Sequence, residues 1–241
     1  MLVDNKFIYL SLPRCASTAF FISCIRCGFT IRHANSIRDK SYENIDLRNL
    51  TNMDLVYNVN HFHETINALK EKFGNDYDII SVKRNRYDRF ISYFNHCIGE
   101  LNRNGNLELA DIFSNLSTED LLFYKTENLF NKESKIELLH SFLKRIGYSQ
   151  YNNTLETLLL PMVSPVSVYH NNNPKIIWFE FNQLNKLENW VATKTGIPFK
   201  LEVFGSSGNY KSKIINDDFF VKKYSEIYDY FDFFKKQNTL I

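Results

Sequence analysis

The sequence predicts an α/β fold: a central parallel sheet flanked by helices, in a single domain over residues 1–241. Three observations predict it. Short apolar runs at Phe7–Leu12, Asp54–Asn60, Asp78–Val82 and Lys175–Phe181 read as buried strands. Each is followed by a turn and a helix-compatible stretch. No internal repeat or linker breaks the alternation, and 241 residues suffice for one core of this kind. In such sheets ligands bind outside the carboxyl ends of the strands, so the turns after these runs are where chemistry is expected.

Bulk properties narrow the function classes. Apolar residues make up 44% and charged residues 23%, which fits a globule in water. A formal net charge of +2 argues against a broad nucleic-acid surface, so any basic site must be local. No apolar run approaches the ~18 residues that a membrane span needs. Asp4 and Lys6 interrupt anything like a signal peptide. A soluble, cytoplasmic or otherwise intracellular protein is therefore expected. Cys15, Cys24, Cys27 and Cys97 are the cysteines. Cys24 and Cys27 form a CxxC inside an apolar helical stretch, which reads as two small buried residues rather than a redox or zinc pair. No metal is expected.

The first strand, Phe7–Leu12, leads into Pro13-Arg14-Cys15-Ala16-Ser17-Thr18 and then an apolar helical run, Ala19–Cys27. A strand, a loop of small residues and a helix start form a common grip on phosphate. Backbone N–H groups at the helix N-terminus face the anion. Arg14 adds a cation, and Ser17 and Thr18 add hydroxyls. The GxxxxGK[ST] pattern of a Walker loop is absent. The plainer alternative is an ordinary turn with Ser17 as the helix cap. Gly28–Asn52 is polar and reads as surface connection.

The strand Asp54–Asn60 delivers His61-Phe62-His63-Glu64 and a helix over Glu64–Phe73. Two histidines at i and i+2 share a side if the strand persists. Neutral imidazole suits proton abstraction from a hydroxyl near neutral pH, so His61 and His63 are candidate bases. The spacing does not choose between them.

Asp78–Val82 ends at Lys83-Arg84-Asn85, and a helix over Arg86–Asn104 follows, carrying Phe90, Ile91, Phe94 and Ile98 on one face. Arg84 stands at the strand end and Ser92 in the second turn of the helix, a spacing that lets both reach one phosphate. Gly105 breaks this helix. Leu107–Leu116, Thr118–Tyr124 and Lys132–Ile146 read as further helices, and Ser149–Asn173 as irregular chain. Lys175–Phe181 is the last strand, followed by a helix over Asn185–Thr195 that Gly196 ends. Val203–Tyr210, rich in Gly and Ser, precedes Lys211-Ser212-Lys213 and a final helix, Asp217–Lys235.

Together these stretches resemble the PAPS-dependent sulfotransferases, where PAPS is 3′-phosphoadenosine 5′-phosphosulfate. Their 5′-phosphosulfate loop, P-[KR]-[SC]-[GA]-[ST]-[ST], is similar to Pro13–Thr18, with Ala16 where Gly is usual and Arg14 where many members carry Lys. Their 3′-phosphate motif, R-[ND]-P-x-[DE]-R-x-x-S-x-[YF], is similar to Arg84–Phe94, with Arg86 in place of Pro. His61-Phe62-His63 resembles the H-x-H of the uronyl 2-O-sulfotransferases. The resemblance covers roughly residues 7–28, 55–95, 175–198 and 203–234, in consistent order.

It implies a P-loop-like nucleotide-binding sulfotransferase fold and transfer of a sulfuryl group from PAPS to an acceptor hydroxyl, with PAP as product. It assigns Arg14, Cys15, Ala16, Ser17 and Thr18 to the phosphosulfate, Arg84 and Ser92 to the 3′-phosphate, and His61 or His63 to the base. Lys211 and Lys213 match a late segment that closes over the nucleotide. The acceptor it favours is a glycan, with a peptide tyrosine or a small alcohol as alternatives. Two other functions stay open: a catalytically inactive PAP- or nucleotide-binding protein of the same fold, and a nucleotide kinase-like phosphotransferase. The latter needs a Walker-type Lys and a magnesium-binding carboxylate, and neither stands in place.

Overall fold

The computed structural model describes residues 1–34, 64–116, 132–148, 150, 155, 158–159, 167–171 and 173–202. Among these residues the fold is α/β, with five strands in one mixed sheet, six helices of eight residues or more and a single helical turn at Ser167–His170. The strands are β1 (Leu2–Val3), β2 (Phe7–Leu10), β3 (Ile31–Arg32), β4 (Asp78–Lys83) and β5 (Ile176–Glu180). The helices are α1 (Ser17–Arg26), α2 (Ile66–Phe73), α3 (Arg86–Arg103), α4 (Leu107–Asn115), α5 (Lys132–Arg145) and α6 (Leu184–Thr195). The expected strand Asp54–Asn60, the helices Thr118–Tyr124 and Asp217–Lys235 and the segment Val203–Lys213 lie outside the described residues.

The described residues form two compact units, one drawn from Met1–Arg84 and Tyr169–Phe204, the other from Asn85–Val168. In the first unit the strand order is β3-β1-β2-β4-β5. β2, β4 and β5 run parallel, with Leu10 opposite Ser81 and Lys83 opposite Glu180. β1 is antiparallel to both β2 and β3. The sheet is thus mixed, which corrects the wholly parallel sheet expected from the strand–helix alternation.

The cause is local. Asp4 and Asn5 both adopt φ of 49°, and the Lys6 N–H donates to the Val3 carbonyl at 2.9 Å. Positive φ at two successive residues is the signature of a tight hairpin turn, and Asp and Asn tolerate it better than most. So short a connection permits only antiparallel pairing.

All four residues of β2 are buried, as expected of a strand covered on both faces. The Phe20 ring of α1 stacks on Tyr9 at 3.8 Å between centroids and meets Phe7 edge-on at 6.4 Å. Trp190 of α6 meets Phe7 edge-on at 5.1 Å. Burying aromatic rings of this size stabilises by roughly 1.5–3 kcal/mol each, so these contacts hold α1 and α6 to the sheet. α6 ends at Gly196, whose φ of 77° is the left-handed conformation that a helix C-terminus favours.

The second unit is helical. Asn85 Oδ1 accepts from the Asp88 N–H at the start of α3. Phe94, Cys97, Ile98 and Leu101 recur at helical spacing on α3 and share a core with Leu109, Ala110 and Phe113 of α4 and Leu139, Phe142 and Leu143 of α5. Phe94 meets Phe113 edge-on at 5.2 Å. Gly105 separates α3 from α4 with φ of 77°. Among the described residues no helix is long and apolar enough to cross a membrane.

Candidate functional site

The parallel strands β2, β4 and β5 deliver three segments to one rim. After β2, the Cys15 N–H donates to the Leu12 carbonyl at 3.3 Å and closes a turn over Pro13 and Arg14. Pro13 occupies the position where its fixed φ suits a turn, and Arg14 follows with φ of 61°, as the third residue of a type II turn requires. Ala16 is left-handed as well, with φ of 60°, and immediately precedes α1. Ser17 is therefore the first residue of the helix, which corrects the alternative that made it the cap. The cap position is Ala16, with no side-chain capping bond.

Left-handed residues on either side of Cys15 carry a cost. For a residue with a Cβ the conformation is disfavoured by about 1–2 kcal/mol. A backbone that alternates into this region gathers successive N–H groups into the concavity that anions occupy, here at a helix N-terminus. From below, the Tyr9 hydroxyl donates to the Cys15 carbonyl at 3.4 Å. Burial pushes the Tyr9 hydroxyl well above its ordinary pKa of 10.0, so it stays protonated and keeps this bond. Cys15 is 1% exposed, so what it offers a ligand is backbone. Arg14, Ala16 and Thr18 are half-buried, and Ser17 is buried.

Replacing Ala16 by glycine is expected to stabilise the protein by about 1 kcal/mol, because glycine adopts this φ without a Cβ conflict. Urea denaturation reads it directly. An unchanged or lower midpoint would show that the loop is not strained at Ala16.

Within β4, Ser81 anchors the strand to β2 by donating from its buried hydroxyl to the Leu10 carbonyl at 2.7 Å. Lys83 Nζ lies 2.8 Å from Glu180 Oε1 of β5. Arg84 comes next. Its Nη1 donates to the Arg14 carbonyl at 3.3 Å, and its guanidinium carbon lies 4.3 Å above the centroid of the Phe181 ring. Arg14 and Arg84, expected at one rim from their places after two strands, do meet there. Phe181 was not foreseen as part of the site. It follows a strand in sequence, but only the register of β4 and β5 reveals which strand end it faces.

Ser92 lies in the second turn of α3, in the second unit, and is half-buried. His61, His63, Lys211 and Lys213 lie outside the described residues. Glu64, directly after the histidine pair, is buried. Its carboxylate lies 3.4 Å from His33 Nδ1 and 3.3 Å from the Met1 amino group, and accepts from the Ala34 N–H at 2.5 Å. Sequence reading treated His33 as part of a surface connection, whereas it is 1% exposed.

The cysteines are free thiols. Burial raises the pKa of Cys24 well above 9.0, and that of Cys27 is raised by burial and by the Glu202 charge, so neither is an activated thiol. Among the described residues no three His, Cys, Asp or Glu side chains gather as a metal site. No protein-family model, curated protein or solved structure matches this chain.

Proposed function

We propose that the protein is a PAPS-dependent sulfotransferase acting on an acceptor hydroxyl, with a glycan as the favoured acceptor, on a P-loop-like nucleotide-binding fold. The observation that carries the reading is the Arg84–Arg14 contact. Two motifs 70 residues apart in the chain are joined by a hydrogen bond at the ends of adjacent parallel strands. The residues there fit a doubly phosphorylated nucleotide. A strained left-handed loop at the start of α1 offers backbone donors to one phosphate, and a guanidinium beside it offers a planar fork to another.

In this reading Ser17, Thr18 and the loop backbone hold the 5′-phosphosulfate, and Arg84 holds the 3′-phosphate. Ser92, Lys211 and Lys213 are assigned to the nucleotide by the resemblance alone. The acceptor oxygen attacks sulfur in line while the bond from sulfur to the bridging phosphate oxygen breaks. His61 or His63 takes the acceptor proton. Arg14 neutralises the charge that develops on the departing phosphate oxygen, and PAP leaves. Positioning and electrostatics supply the acceleration, with no covalent enzyme intermediate.

Calorimetric titration with PAP tests the reading. The wild type is expected to bind, and Arg84→Ala to bind about 10–100-fold more weakly, since a charged hydrogen-bonding group of this kind contributes ~1.5–3 kcal/mol. No wild-type binding overturns the proposal. PAP binding without sulfuryl transfer from PAPS to any hydroxyl acceptor would identify a non-catalytic nucleotide-binding protein instead.

A further inference from the structure

Phe181 is the feature of this rim that the sulfotransferase reading does not use. It follows β5 directly, and its ring lies under the Arg84 guanidinium at 4.3 Å from the guanidinium carbon to the ring centroid. The register explains the placement. Lys83 pairs with Glu180 in the ladder, and their side chains are joined at 2.8 Å, so the next residues on the two strands are Arg84 and Phe181. The described contacts that hold the guanidinium include one to the Arg14 backbone and one to the Phe181 ring. The Arg14 carbonyl accepts from Nη1, and the aromatic face supports the plane.

A guanidinium is a flat fork with its N–H donors in one plane, so fixing the plane fixes the direction in which paired donors meet a phosphate. The arginine side chain is long and rotamer-rich, and an unsupported one loses that freedom only when the ligand arrives. The aromatic face attracts the cation, and more strongly where water is partly excluded. Arg84 and Phe181 are both half-buried.

We infer that Phe181 is the positioning residue for Arg84, and so sets the preference of this site for nucleotides with a 3′-phosphate over those without one. The inference rests on the reading of Arg84 as the 3′-phosphate ligand. Phe181 touches no reacting atom in this role and acts only through the arginine.

The test compares two nucleotides by calorimetry. PAP carries 3′- and 5′-phosphates, and AMP carries only the 5′-phosphate. Phe181→Leu removes the π face at similar volume, and Phe181→Tyr keeps it. Phe181→Leu is expected to weaken PAP about 3–30-fold and to leave AMP unchanged, with Phe181→Tyr close to wild type. In an Arg84→Ala background Phe181→Leu should change PAP affinity no further.

Equal loss of PAP and AMP would overturn the inference and place the ring against the base or the fold. Unchanged PAP affinity in Phe181→Leu, with Arg84→Ala impaired, would overturn it while leaving the sulfotransferase reading intact. Wild-type PAP affinity in Arg84→Ala would overturn the assignment of Arg84 itself. Thermal melts of each variant separate a folding defect from a binding one. If Phe181→Leu does not fold, Phe181→Met carries the same comparison.

Discussion

Glu64→Ala is expected to lower unfolding free energy by about 3–5 kcal/mol, the scale seen when one partner of a buried charge pair is removed. The carboxylate is almost entirely shielded, with 3% of its side chain exposed, and it faces the Met1 amino group and His33, themselves 2% and 1% exposed. It also satisfies the Ala34 backbone N–H. Alanine would take this carboxylate from all of them and leave the Met1 amino group only the Tyr9 carbonyl, to which it donates at 3.0 Å, among the described contacts. Chemical denaturation at neutral pH measures the loss, and a change under about 0.5 kcal/mol, the range of an ordinary surface substitution, would refute this account of Glu64.

The same site gives an acid limit. Burial would raise the Glu64 pKa, but facing His33, the amino-terminal charge and the Ala34 N–H outweigh it and hold the carboxyl near about 2, below its ordinary 4.5. A carboxyl depressed on folding contributes stability that is complete above the unfolded value and is lost as pH falls through the folded one. The wild type should therefore lose this contribution between pH 4.5 and about 2. Glu64→Gln should show a flatter acid limb across that window.

The second large effect concerns turnover. Replacing the general base typically costs about 10²–10⁴-fold in rate. One of His61→Ala and His63→Ala should show such a loss of kcat at saturating PAPS with PAP affinity unchanged, and the other should stay near wild type. Full turnover in both variants would remove the histidines from the mechanism.

Much of the frame was legible because it is written in burial and period. β2, β4 and β5 are short apolar runs, and α3 repeats its apolar residues at helical spacing. The loop Pro13–Thr18 announced itself by small residues between a strand and a helix. Its backbone did not, because an alanine in the left-handed region has no marker in the sequence. β1 and β3 are two residues each, too short for any periodicity to show. The Asp4-Asn5 pair was the readable trace of that hairpin, yet its flanks are too brief to read as strands. Arg84 over Phe181, and Glu64 against His33, depend on which segments pair across the fold. That information is absent from any one stretch of chain.

The order of β2, β4 and β5 along the chain sets the order in which the rim can be completed during synthesis. The β1–β2 turn closes locally, and α1 follows at once, so the loop is made early. β4 then brings Arg84 to it through a long loop closure, a slow kind of contact to form. The ring arrives only with β5, far later in the chain. A nascent chain halted before Ile176 would hold both arginines and lack the ring that lies under one of them. Phe181, the ring beneath Arg84, thus joins the rim later than either arginine.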